Sequence, residues 1–129
     1  MPSEPSTPTF KVYTSTHPFL SQPIHFQITT FDESAFIWIG AEGNEVLGNL
    51  AVAMPPPRIS NSNGGVNLPS ATTIMTKDID ESSKQLGYRL SSKFNKQFFV
   101  SLNLPPNADQ MMVSFAEKKV LSMIKDIYS

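Results

Sequence analysis

The sequence contains no cysteine. That absence excludes disulfides, thiolate nucleophiles and zinc fingers together, and it fits a reducing compartment. No apolar run approaches the ~20 residues a membrane helix needs. The stretch from Met1 to Pro8 lacks the basic and apolar regions of a signal peptide, so soluble cytosolic or nuclear residence is the expectation. Neither sign of charge dominates: ten basic and eleven acidic side chains leave a formal net charge of -1. A chain so balanced would hold neither nucleic acid nor an anionic membrane strongly.

Catalytic signatures are equally scarce. The two histidines, His17 and His25, stand at no zinc-ligand or helical spacing, so no metal site is expected. Gly40, Gly43 and Gly48 fit neither the phosphate-binding P-loop nor the dinucleotide fingerprint, and read as turn residues. Ser122 and Lys125 match a Ser-x-x-Lys pattern late in an amphipathic stretch, without the companion motifs, and read as coincidence. Asp78, Asp80 and Glu81 cluster as paired carboxylates would, yet they precede a helical pattern, where negative charge favours the helix dipole. No nucleophile has an activating base nearby in sequence. No catalytic residue, metal or cofactor is therefore assigned, and binding to other proteins is expected in place of catalysis.

What is present fits one hydrophobic core, since 129 residues split in two would leave each half near the size at which folding is marginal. The prolines concentrate at the N-terminus, at Pro55 to Pro57 and at Pro105 and Pro106. Residues 1–9 read as a flexible tail, and residues 10–129 as a single α+β domain with a mobile loop at 55–70. Residues 10–15 are β-prone. Residues 24–30 alternate strictly, with Ile24, Phe26 and Ile28 on one face and His25, Gln27 and Thr29 on the other. A polar turn leads into the wholly apolar run 35–39, so the two predict a hairpin. Residues 50–54 predict a strand that the proline triplet ends; 71–76 can return as another, and 98–102 is a central-strand candidate. Asp78 or Asp80 can cap a helix whose stripe is Leu86, Leu90 and Phe94, with Ser83 and Gly87 beside it. Gly87 implies close packing on the sheet. A second helix spans 109–128, with Met112, Val113, Ala116, Val120, Met123, Ile124 and Ile127 on its apolar face.

The expected architecture is a mainly antiparallel sheet of about six strands carrying two helices. Two helices cover one sheet face. If Ile24, Phe26, Ile28, Ile37, Leu50, Val52, Phe98 and Val100 lie beneath them, the other face presents Phe36, Trp38, Ala51, Ala53, Phe99 and Ser101, bordered by His25 and Gln27. Phe36 and Trp38 are expected to point outward; the opposite register would turn Ala35, Ile37 and Ile39 out instead. Aromatic and polar residues mixed in this way have the make-up of an interface core with its rim. A partner subunit packing sheet to sheet would bury them. The alternative cover is the tail or the 58–69 loop. Lys84, Arg89, Lys93 and Lys96 follow one another with no acid among them, which suits a solvated helix flank or a docking surface.

Several segments are similar to the proteasome assembly chaperone 4 family: residues 24–28 (IHFQI), 34–40 (SAFIWIG), 48–54 (GNLAVAM), 86–90 (LGYRL) and 95–104 (NKQFFVSLNL), with a weaker likeness at 115–120 (FAEKKV). The resemblance implies a small α+β protein that pairs with proteasome assembly chaperone 3, sheets facing each other and helices outside. The pair would help α-type subunits form the first ring of the 20S proteasome, with no nucleotide or cofactor. On that reading Phe36, Trp38 and Phe99 are buried anchors against the partner, His25 and Gln27 are rim contacts, and Lys84, Arg89, Lys93 and Lys96 are candidates for touching an α-type subunit. The proline-rich tail and the 55–69 insert have no recognised family counterpart. A small profilin-like or longin-like adaptor in trafficking or signalling is the competing reading.

Overall fold

The computed structural model describes residues 10–43, 45–56, 68–76, 81–105 and 107–128. Tail residues 1–9 and loop residues 57–67, both expected to be mobile, lie outside them, as do Asp78 and Asp80. Among the described residues the element order is β1 (Lys11–Phe19), β2 (Gln22–Thr30), β3 (Ser34–Ala41), β4 (Leu50–Met54), β5 (Ser70–Met75), α1 (Ser82–Phe94), β6 (Gln97–Asn103) and α2 (Gln110–Ile127). The strands form one sheet in the order β1-β2-β3-β6-β4-β5. Every pairing is antiparallel except β3 with β6. The last strand thus enters the middle of the sheet, which accounts for the apolar character of residues 98–102.

Strand β1 runs four residues beyond the expected Ser15. Pro18 looks like a strand breaker in sequence, but β1 is an edge strand, where a missing N–H is tolerated, and Pro18 pairs opposite Pro23. His17 consequently lies within a strand, its ring 5.7 Å from that of Phe26.

Ile24, Phe26, Ile28, Ala35, Ile37, Ile39, Phe98, Val100 and Leu102 line the helix-covered face and form one core with Leu86 and Leu90 of α1 and Ala116, Val120 and Ile124 of α2. The β4 register is the reverse of the expected one. Ala51 and Ala53 are buried under α1, and Leu50 and Val52 face the other way. Gly87 supplies the reason: a Cβ built there would stand 3.2 Å from the Cβ of Ala53 and 3.4 Å from Val100 Cγ2. At so close an approach only alanine-sized side chains fit beneath the helix. Ser83 serves the same contact, its Oγ accepting from Leu102 N at 3.0 Å.

Helix α1 starts at an N-cap of Glu81 whose side chain makes no capping hydrogen bond, and it ends at Asn95 in the left-handed conformation, φ 55°. The latter is a usual helix stop. Asp109 caps α2, its carboxylate accepting from Met112 N at 2.9 Å. Ser15 Oγ donates to Met123 Sδ at 3.2 Å, and the rings of Phe19 and Phe115 stand 5.2 Å apart. These contacts dock α2 on the β1 side of the same face that α1 covers at β4 and β6.

Candidate functional site

The uncovered sheet face is ordered in rows by strand register. One row runs Thr29, Phe36, Phe99, Val52 and Thr72 across β2, β3, β6, β4 and β5; the next runs Gln27, Trp38 and Ser101, and a third runs His25, Gly40 and Asn103. Phe36, Trp38 and Phe99 therefore share this face, with Phe36 and Phe99 directly opposite one another, and His25 and Gln27 border them. His25, Gln27 and Phe99 lie on the face that alternation assigns them, and the wholly apolar run 35–39 takes the expected one of its two registers, with Phe36 and Trp38 on that same face. Ala35, Ile37 and Ile39 are fully buried under the helices. Val52 belongs to the patch, and Ala51 and Ala53 do not.

Phe36, Phe99 and Val52 are half-buried. Among the described residues no helix covers these side chains. Trp38 lies differently. A Cβ at Gly40 would collide with its six-membered ring, so the indole leans along β3 over the glycine. Its Nε1 donates to Val46 O at 2.9 Å, tying residues 45–49 to the sheet.

The other end of that loop is held by Asn103, a residue that pattern reasoning missed. Its Oδ1 accepts from Gly48 N at 2.8 Å and Asn49 N at 3.1 Å. Its Nδ2 donates to Ile39 O and Ser101 O, both at 3.2 Å, and to Ser101 Oγ at 2.7 Å. An amide alone offers donors and acceptor together in this way. Asn49 Nδ2 adds a bond to Leu102 O at 3.1 Å. Ser101 is fully buried here, although it lies on the uncovered face. The one available signal was a pair of polar residues, Ser101 and Asn103, late in a central strand whose only other polar residue is Gln97 at its start. At the opposite border Thr16 Oγ1 and His25 Nδ1 stand 2.8 Å apart, and His25 Nε2 lies 3.8 Å from Glu42.

The four basic residues lie on the helical side of the molecule. Lys84 and Arg89 line a depression of about 360 Å³ with Ala71, Glu81, Gln85 and Tyr88. Arg89 Nη1 also donates to Glu117 Oε1, joining α1 to α2. Lys93 faces Lys125, whose like charge, followed by their hydrogen bond, lowers the Lys93 pKa. Lys96 Nζ sits 4.9 Å over the ring of Tyr128. The structure thus distributes these side chains over three local settings and does not gather them into one patch.

Among the described residues no group of three or more histidine or acidic side chains could hold a metal ion, and no helix is long and apolar enough to cross a membrane. The distinctive surface is the apolar sheet face with its pinned loop, suited to protein contact.

Residues 23–104 match the model of the family described as proteasome assembly chaperone 4. The human protein named proteasome assembly chaperone 4 is 35% identical over 99 residues, covering 77% of this chain and 72% of the human one. The mouse protein of that name is 33% identical over the same shares. The fold is also similar to a chain in the crystal structure of a novel chaperone complex for yeast 20S proteasome assembly. That likeness has a TM-score of 0.66 at 19% identity, over 91% of this chain and 96% of the yeast one.

Proposed function

Because this chain belongs to the proteasome assembly chaperone 4 family, we propose that it pairs through its uncovered sheet face with proteasome assembly chaperone 3, and that the pair binds α-type subunits while the 20S proteasome α-ring forms. The observation that carries this reading is the row Phe36, Phe99 and Val52, beside Trp38, on a face that no helix of the described chain covers. A second sheet laid on it would complete a two-layer core, with aromatic residues as anchors and His25 and Gln27 at the rim.

The pair works without chemistry of its own. It holds an α-type subunit in a ring-competent pose and masks wrong contacts, so its specificity is a difference between binding free energies. It consumes no cofactor and acts in the cytoplasm, with the nucleus as a second compartment. Lys84 and Arg89, together in one depression on the helical side, lie away from the sheet face and are candidates for meeting a subunit, Arg89 with its guanidinium already shared with Glu117. Affinity purification with mass spectrometry tests the reading. Chaperone 3 and α-type subunits are the expected companions; membrane-traffic or signalling complexes in their place would favour an adaptor.

A further inference from the structure

Strand β5 forms one edge of the sheet and, among the described residues, pairs only with β4. From Ser70 to Thr76 it carries neither a charge nor a proline. Edge strands are usually blunted by such residues, because an open row of N–H and C=O groups is a template for another strand. The opposite edge, β1, has both, in Lys11 and Pro18. A register shift blunts only the far end of β5: Met75 stands opposite Leu50 and Thr73 opposite Ala51, with Ile74 between them. Residues 70–73 keep regular register with β4, and Leu68, Ile74 and Met75 around them are exposed. An apolar, uncharged stretch of backbone is thus left open along one side.

The chain itself fixes the class of occupant. Unpaired main-chain groups of a strand are matched in full only by another extended backbone. Ala71 and Thr73 pair with the buried Ala53 and Ala51, so they point to the α1 side of the sheet. There Ala71 and the flank of α1, from Glu81 through Lys84, Gln85 and Tyr88 to Arg89, enclose the depression of about 360 Å³. A strand added about 4.8 Å beyond β5 would continue the alternation and send every second side chain towards that depression. Its charges are unevenly engaged. Arg89 is held by Glu117, whereas Lys84 has no ion-pair partner among the described residues, Glu81 in the same depression included. A carboxylate on the added strand is the complement of that lysine.

We propose that β5 and α1 together form a binding site for an extended, acidic segment of a partner protein, which adds to the sheet edge at residues 70–73 and directs a carboxylate to Lys84. The site lies at the edge of the sheet, outside the face assigned to pairing, and does not depend on that assignment. Its test titrates the full chain with a six-residue peptide of alternating valine and glutamate, followed by backbone amide NMR. Shifts should centre on residues 70–73 and on Lys84, Gln85 and Tyr88. The same peptide with lysine for glutamate should bind about fivefold more weakly or worse, and the peptide with every amide N-methylated, which has no donors, should not bind. Lys84→Gln should remove the preference between the glutamate and lysine peptides, and Lys84→Glu should reverse it, each with unshifted resonances in the core. No shifts at 70–73 with millimolar peptide, undiminished binding of the N-methylated peptide, or a preference that neither substitution moves would overturn the site. Shifts at 70–73 that depend on protein concentration without peptide would also overturn it, giving the edge to a second copy of the chain.

Discussion

The indole of Trp38 lies across Gly40, two residues along the same strand, and occupies the space a side chain there would need. The glycine lets the ring lie along the sheet and reach Val46 O. Gly40→Ala should displace the ring and break that bond, costing about 2–4 kcal/mol from overpacking and a lost hydrogen bond. Urea unfolding measures the cost, and indole fluorescence should report greater solvent exposure. An unchanged midpoint and spectrum would contradict this packing.

Trp38→Glu tests the same residue for function. A carboxylate amid Phe36, Phe99 and Val52 would be buried by any partner sheet, at a cost of several kcal/mol in pairing. Copurification with chaperone 3 should be lost. Undiminished recovery of a folded variant would show that Trp38 lies outside the interface.

Asn103→Ala should release the 45–49 loop. It leaves the N–H groups of Gly48 and Asn49 without their acceptor, and the expected cost is about 2–4 kcal/mol. Asn103→Asp should be worse, because a carboxylate oxygen would replace the Nδ2 donor opposite the carbonyls of Ile39 and Ser101. Hydrogen exchange at Gly48 and Asn49 should accelerate in both variants; unchanged protection would deny Asn103 this role.

Burial, and then the field of Tyr13, raises the Tyr128 pKa above its ordinary 10.0. Its Oη is buried with no hydrogen-bond partner among the described residues. Tyr128→Phe should therefore be neutral or stabilising by up to about 1 kcal/mol at pH 7. The neutral phenol is favoured in the folded state. Its stabilisation is complete below pH 10 and is lost as pH rises from there through the folded pKa. The phenylalanine variant should lose less stability than wild type across that alkaline window. Parallel stability curves would contradict the assigned burial.

Elements and faces were legible where polar and apolar residues alternate. In β2 the contrast of His25 and Gln27 with Ile24, Phe26 and Ile28 assigns the faces. Strand β4 has no such contrast, because Leu50, Ala51, Val52, Ala53 and Met54 are all apolar; the close approach of Gly87, 34 residues after Ala53, settles its register. Pro18 concealed the length of β1, since whether a proline breaks a strand depends on its being at an edge. The Asn103 network and the Arg89–Glu117 pair join residues 54 or 55 and 28 positions apart. Local patterning carries no signal at such distances, so the aromatic face was readable and the loop that borders it was not.

The most direct test of the pairing reading is site-specific photocrosslinking from position 36 on the uncovered sheet face, compared with position 92 on the exposed side of α1, in the complex with chaperone 3. Crosslinks to chaperone 3 from position 36 and none from position 92 are the predicted result. Crosslinks from position 92 alone would contradict sheet-to-sheet pairing.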